Sequence, residues 1–249
     1  MTLPSLDALW SADGDPVDRF DPAVIAGLPV AAPRYLERTI EPGAPLYRAV
    51  RLRMHGEIKL GRWRPFEAEQ VVRAGRGLVW RARARMAPLL DVRGHDAFVD
   101  GVGEMRWKLL GLIPVVCADG PDISRSAAGR AELESWMLPT ALLDPSVAWS
   151  AGDDDEHAEV DVRVPGDTGH LRLRIDPDGR LREVVLRRWG NPEGGEFHEV
   201  ACGGYLDDER QFGPLRIPTT MRAGWWFGTD RFTDEGEFFR ATIDAMEFR

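Results

Sequence analysis

The sequence has 249 residues, a net charge of -9 and 43% hydrophobic residues. A chain of this length and hydrophobic content can bury a substantial core within one domain. The excess of acidic residues argues against nucleic acid or an anionic membrane as the main partner.

The N-terminal segment 1–45 is predicted to be helical. Asp21 followed by Pro22 is typical of a helix start, because aspartate can cap the first turn and proline fits its first position. A second short helix is predicted from about residue 31 to Ile40, and Pro42 and Pro45 end the segment.

Residues 46–116 are predicted to form a first block of strands. Hydrophobic and polar residues alternate in the ranges 50–60, 66–72 and 78–86, and further strands are predicted at 89–94 and 98–110. In the last range Gly101 and Gly103 share a face with Trp107 and leave a bare patch, where the sheet can bend or another group can lie close.

Residues 122–139 are predicted to form an inserted helix that ends at Pro139. Arg130 and Glu134 lie among the apolar residues of one helix face, four residues apart, so they can form an ion pair along the helix. Residues 146–249 are predicted to form a second block of strands, joined by turns such as Asp176-Pro177-Asp178-Gly179.

These elements predict a mainly β protein with few helices (α+β), forming a single domain over residues 1–249. Strands that follow one another through tight turns form an antiparallel meander. A sheet of about ten strands is expected to curl into a strongly curved sheet or half-barrel. The amphipathic helices need an apolar surface, so they are expected to cover the concave face.

Several short motifs resemble those of a bacterial family of unknown function. They are Phe66-Glu67-Ala68-Glu69-Gln70, the pair Gly101 and Gly103, Glu134 through Pro139-Thr140-Ala141-Leu142-Leu143, and Ile217-Pro218. The resemblance covers most of the chain from about Arg34 onward. The order of strands and helices also resembles the fold of periplasmic lipoprotein carriers, an unclosed β-barrel with a helical lid. This second resemblance implies an apolar cavity, although a fold alone does not fix a function.

The predicted pocket is rich in tryptophan. Trp80 and Trp107 lie beside small residues on neighbouring strands, and this combination leaves a hollow that suits an aromatic or lipid-like ligand. Gln70 is the inward polar residue of its strand, unless the register shifts by one residue and turns Glu69 inward. The predicted ligand-binding residues are Gln70, Trp80, Gly101, Gly103, Trp107, Arg130 and Trp136.

Two carboxylates are candidate catalytic residues. Glu104 could act as a general base if it faces the cavity, where burial would raise its pKa; the alternative is a surface pair with a neighbouring arginine. Glu134, paired with Arg130, could form the polar end of the pocket; the alternative is a structural tie between helix and sheet.

The favoured function is binding of a hydrophobic or aromatic small molecule. A cofactor-independent acid/base enzyme of the isomerase or lyase type, acting in the same pocket, and a protein-interaction module are the alternatives. Motifs for nucleotides and metal-dependent proteases are missing, so no cofactor and no metal are predicted. Cys117 and Cys202 stand alone, and neither a secretory signal nor an apolar run of membrane-spanning length is found, so a cytoplasmic location is predicted.

Overall fold

The computed structural model describes residues 3–12, 16 and 18–249. Residues 1, 2, 13–15 and 17 of the predicted segment 1–45 lie outside this description. The described strands are β1 (Ala49–Leu60), β2 (Arg62–Arg73), β3 (Gly77–Ala87), β4 (Leu90–Val99), β5 (Val102–Leu109), β6 (Ile113–Asp119), β7 (Ala148–Ala151), β8 (His157–Val164), β9 (Asp167–Ile175), β10 (Leu181–Gly190), β11 (His198–Phe212), β12 (Leu215–Trp225) and β13 (Glu237–Phe248). The helices are α1 (Leu6–Trp10), α2 (Ala31–Thr39) and α3 (Pro121–Leu133), with 3-10 turns at Pro22–Ile25, Glu134–Met137 and Pro139–Leu143 and a π-helical turn at Phe232–Gly236.

All the strands belong to one antiparallel sheet. Its order is β6-β5-β4-β3-β2-β1-β13-β12-β11-β10-β9-β8-β7. The first block of strands therefore forms one half of the sheet and the second block forms the other, and the halves join where β1 pairs with β13. The end strands β6 and β7 do not pair with each other in the part of the chain described, so the sheet is unclosed.

In the described part of the chain the sheet has 13 strands, which corrects the predicted number of about ten. The predicted strand 98–110 is interrupted at Asp100 and Gly101, whose φ angles of 53° and 87° form a two-residue turn between β4 and β5. An Asp-Gly pair favours this hairpin because both central residues need a positive φ. A second turn at Leu110 and Gly111 separates β6 from β5. Gly101 is thus a turn residue, and the bare patch on the strand is confined to Gly103.

Helix α3 contacts strands of both halves, namely β3–β6 and β8–β10. Seven strands separate β5 from β10 in the sheet order. At a strand spacing of about 4.8 Å these two strands would lie about 38 Å apart in a flat sheet. A helix about 10 Å wide can touch both only if the sheet bends around it. The sheet is therefore strongly curved.

Gly103 is a point of close approach between α3 and the sheet. A Cβ atom on Gly103 would lie 2.7 Å from the Cα of Ser124 and 2.9 Å from the carbonyl oxygen of Ile123. The Gly103 N–H also donates to Ser124 Oγ at 2.9 Å. The bare patch predicted from the sequence is therefore occupied by the chain's own helix.

A second, smaller core lies on the other face of the sheet. Leu6 and Leu9 of α1 pack there with Val71 and Val79 of β2 and β3. The buried Arg73 donates from Nε to the carbonyl oxygen of Leu9 at 2.7 Å and so anchors the end of α1. Helix α1 thus differs from the prediction that the helices share one face.

We expect the Gly103→Ala substitution to destabilise the protein by about 1–3 kcal/mol, because the added methyl meets the backbone of α3. Urea unfolding measures the change. The exposed Gly195 has no atom within 4 Å of a Cβ position, so Gly195→Ala should change stability by less than about 0.5 kcal/mol. Equal effects of the two substitutions would contradict the close approach at Gly103.

Candidate functional site

Four neighbouring strands, β2 to β5, place a row of side chains on the face that α3 contacts. Gln70 on β2 pairs with Trp80 on β3, and Trp80 pairs with Asp96 on β4. Trp107 on β5 lies on the same face, because its indole Nε1 donates to Asp96 Oδ1 at 2.8 Å. The register that points Gln70 inward is the one observed.

Helix α3 and the turn after it add two charged side chains above this row. Arg130 donates from Nε to Glu134 Oε1 at 2.8 Å and from Nη1 to Asp96 Oδ2 at 3.0 Å. Gln70 Nε2 donates to Glu134 Oε2 at 2.5 Å. We refer to Gln70, Asp96, Trp107, Arg130 and Glu134 as the inner polar cluster. Each carboxylate oxygen of Glu134 accepts a hydrogen bond within this cluster. This arrangement agrees with the alternative considered for Glu134, a structural tie between helix and sheet.

The charge of Arg130 is compensated twice. Its side chain is only 17% exposed, and burial by itself lowers the pKa of a guanidinium. The carboxylates of Glu134 and Asp96 outweigh this effect and raise the pKa of Arg130 above its usual value. The guanidinium also lies 5.0 Å from the ring centre of Trp80, a favourable cation–π distance.

Aromatic side chains fill the space beside the inner polar cluster. The ring of Trp80 lies 5.7 Å from those of Phe66 and Trp107 and 6.1 Å from that of Phe239. The hollow predicted beside Trp80 is therefore packed by the chain's own rings. Two buried atoms at this site, Trp80 Nε1 and Gln70 Oε1, have no hydrogen-bond partner among the described residues.

The other residues predicted for the site lie elsewhere. Glu104 faces the opposite side of the sheet, where His95 is 3.0 Å and Arg106 is 3.4 Å from its oxygens. This is the surface pairing considered as its alternative. Trp136 is buried in the main core within the turn Glu134–Met137. Gly101 lies in its turn, near Pro165 of the other half of the sheet.

A cavity of about 180 Å³ lies between the two halves of the sheet, and we call it the central cavity. Val72 on β2 and Val162 and Val164 on β8 form opposite walls. Ala131, Leu138, Ala141, Leu142 and Val147 complete the apolar part of the lining, and its polar residues are Arg48, Arg73, Ser135, Asp144, Ser146 and Arg163. Apolar side chains make up more of the lining than polar ones do, as is usual for small-molecule sites.

Glu132 is a perturbed carboxyl that the sequence analysis missed. It lies on α3, is 3% exposed, and its Oε1 has no partner among the residues described. Burial, followed by the negative charges of Asp167 and Glu199, raises the pKa of Glu132 to about 8, against the opposing effect of a hydrogen bond from the Gly169 backbone. Carboxyls with such shifts concentrate at functional sites.

Asp96 was also missed, for a different reason. The predicted strand ended at Gly94, whereas β4 continues to Val99 and gives Asp96 the same face as Gly94 and Phe98. The sequence signal that could have placed Asp96 is the alternation of faces from Gly94 to Phe98, in which His95 and Ala97 take the opposite face. No group of three or more potential metal ligands occurs among the described histidines, cysteines, aspartates and glutamates.

Comparison with known families identifies the chain's relatives. A family of unknown function, DUF6920, matches residues 26–248. The chain belongs to this family. The resemblance to a family of unknown function, drawn from the motifs, is thereby confirmed. A search of curated proteins found no significant match.

Solved structures with similar folds cover most of the chain at low identity. A LolA superfamily protein from Nitrosomonas europaea is 8% identical, covering 88% of this chain and 92% of its own, with a TM-score of 0.44. A putative outer membrane lipoprotein-sorting protein domain from Vibrio parahaemolyticus is 10% identical, covering 88% and 91%, with a TM-score of 0.46. A DUF1329 family protein from Desulfovibrio piger is 13% identical, covering 92% and 94%, with a TM-score of 0.34. The first two names agree with the predicted resemblance to lipoprotein carriers, and similarity at this level carries no statement about function.

The predicted cytoplasmic location is contradicted by these comparisons, since one similar structure is named as an outer membrane lipoprotein-sorting domain. The two free cysteines behind that prediction do not identify a compartment, because Cys202 is buried and Cys117 is exposed on another strand. Among the helices described, none has the length and apolar character to cross a membrane.

We expect Arg130→Met to destabilise the protein by about 3 kcal/mol, because it leaves two largely buried carboxylates, Asp96 and Glu134, without their cation. Urea unfolding near neutral pH measures the loss. Arg231 and Glu235 form an exposed pair with the same four-residue spacing, so Arg231→Met should cost less than about 1 kcal/mol. Similar costs for both variants would show that the inner polar cluster is not strongly coupled to folding.

We expect Glu132 to make the protein less stable as the pH rises. A carboxyl whose pKa rises from 4.5 to about 8 on folding keeps its proton in the folded state while the unfolded chain loses it. The contribution of Glu132 to the free energy of unfolding is therefore fully present below about pH 4.5, and it decreases as the pH rises to about 8. Glu132→Gln should remove this decline and become the more stable form near pH 8, by up to a few kcal/mol.

Thermal unfolding from about pH 5 to pH 8.5 measures this dependence. Glu159→Gln, at an exposed position of β8, should keep the wild-type slope. A Glu132→Gln variant with the wild-type slope would contradict the raised pKa.

Proposed function

We propose that this protein binds a hydrophobic or aromatic small molecule in the central cavity. The observation that carries the proposal is a space of about 180 Å³ with apolar walls from both halves of the curved sheet. Apolar cavities of about 150 Å³ can hold one benzene-sized molecule, whereas drug-sized ligands need at least about 300 Å³. The ligand is therefore a small apolar molecule, or one apolar segment of a larger amphiphile.

Polar groups at the cavity would orient this ligand. Ser135 Oγ is buried at the lining and has no hydrogen-bond partner among the described residues, so it can serve a hydroxyl or carboxyl group. Gln70 lies two residues from the cavity residue Val72 on the same face of β2, and its Oε1 is likewise unpaired. Arg48, 3.6 Å from Asp144, supplies an exposed cation at the cavity rim.

The inner polar cluster would act as the support of this site. Arg130 and Glu134 fix α3 against the sheet, and their chain neighbours Ala131 and Ser135 line the cavity. We further propose that the chain is one domain, with α2 and α3 covering its concave face. The cation–π contact of Arg130 with Trp80 supports this placement of α3.

We expect hexanoate, 1-hexanol or phenol to quench tryptophan fluorescence on binding. Trp149 is a suitable reporter, because its indole donates to the carbonyl oxygen of the cavity residue Leu142 at 3.0 Å. Ala141→Phe places a ring in the cavity and should weaken binding by roughly tenfold or more. Fluorescence titration measures the affinities, and native mass spectrometry of the purified protein detects a ligand that is already bound.

Ala151→Phe is the matched control, since Ala151 is exposed on β7. It should bind each probe as the wild type does. Failure of all three probes to bind, together with an empty purified protein, would overturn the proposed function.

A further inference from the structure

Strands β9 and β10 separate at one end. Their pairing runs from Ile175–Leu181 to Arg172–Val185, although β9 begins at Asp167 and β10 continues to Gly190. Where the two strands part, a pocket of about 350 Å³ opens between them, α3 and β11. We call it the strand-gap pocket.

Glu132 reaches this pocket from α3. A backbone hydrogen bond from Gly169 of β9 holds its carboxyl group. A Cβ atom at position 169 would lie 2.5 Å from Glu132 Oε2, so glycine is what lets the carboxyl approach the strand. The second oxygen, Oε1, is buried and has no hydrogen-bond partner in the described part of the protein. Glu132 lines the pocket and therefore carries an unused acceptor beside it.

The basic side chains around the pocket are already engaged. Arg125 pairs with Glu199 at 2.6 Å and stacks on Trp189 with its guanidinium 4.0 Å from the ring centre. Arg187 donates to the carbonyl oxygen of Glu199 at 2.8 Å. Arg188 turns away to the carbonyl oxygen of Ser126, also at 2.8 Å.

Two carboxyl groups of the pocket are left without an ionic partner. Neither Glu132 nor Asp167 forms a salt bridge with any described residue, and the side chain of Asp167 accepts only the backbone N–H of Thr168. His170, at the pocket edge, is bound to Asp161 at 2.6 Å. Among the described residues, the pocket therefore holds two carboxyl groups without an ion pair beside three arginines that are already engaged.

We propose that the strand-gap pocket binds a ligand carrying a protonated amine, with Glu132 as its counter-ion and Asp167 as a second acceptor. An ammonium group supplies the donors that the free Glu132 oxygen lacks, and it balances a carboxylate that forms no ion pair with any residue described. The pocket volume admits a ring or a short chain beside the ammonium. Glu132 and Gly129 face this pocket, whereas Ala131 and Ser135 face the central cavity, so this site is independent of the one proposed above.

The binding must be coupled to a proton. Burial raises the pKa of Glu132 to about 8, so the empty site is protonated near neutral pH, and an ammonium ion favours the ionised form. Binding therefore releases a proton, and affinity increases with pH up to about pH 8. The charged groups facing Glu132 from the surrounding elements are Arg125 of α3, Asp167 and His170 of β9, Arg187 and Arg188 of β10, and Glu199 of β11.

Calorimetric titration with benzylammonium and with benzyl alcohol tests the proposal, because the two probes have the same size and differ in charge. The ammonium should bind, with affinity rising about tenfold per pH unit below about pH 8. The alcohol should bind more weakly by roughly tenfold or more and without that dependence. Titrations in two buffers of different ionisation enthalpy should show up to one proton released per ammonium bound.

Glu132→Gln should weaken ammonium binding by roughly tenfold or more and abolish its pH dependence. Glu159→Gln, exposed on β8, should change neither. Asp167→Asn serves as a second variant if Glu132→Gln fails to fold; it should weaken binding and move the pH dependence to lower pH. No ammonium binding, equal binding of both probes, or wild-type behaviour of either pocket variant would overturn the proposal.

Discussion

The doubly compensated charge of Arg130 is the interaction on which the arrangement of the sheet and its central helix depends. Burying one guanidinium is costly, and the cost is met only when carboxylates and hydrogen-bond acceptors surround it. Here one carboxylate comes from the end of the same helix, Glu134, and the other from a strand, Asp96. Because the two are on different elements, the charge is satisfied only when α3 lies in one position against β2–β5.

From that position, α3 contributes to three separate spaces. Ile123, Ala127 and Arg130 border a small cavity of about 80 Å³ next to Asp96. The face with Ala131 and the following Ser135 borders the central cavity, and the face with Glu132 borders the strand-gap pocket. Because α3 contacts strands of both halves of the sheet, its different sides meet different sets of strands.

Two glutamates only two residues apart illustrate what this enclosure does to chemistry. Glu134 is bound by Arg130 and Gln70 and so links the helix to the sheet. Glu132 points to the opposite side, where burial and nearby acids raise its pKa to about 8. The two residues are of the same type, so their surroundings account for the difference: Glu134 has a structural role, whereas Glu132 is able to exchange a proton near neutral pH.

The sequence by itself determined the antiparallel meander, its curvature and the inserted helix, because alternation and turn residues are local signals. It also predicted that Arg130 pairs with Glu134, since a four-residue spacing on one helix fixes their distance. Only the tertiary structure decided the rest. The pairing of Asp96 with Arg130, and the position of Glu104 on the opposite side of the sheet, depend on which face of each strand turns inward. The raised pKa of Glu132 depends on two strands, β9 and β10, that separate beside it. Such properties arise where segments that are distant in the sequence come into contact, and no local sequence pattern predicts that contact.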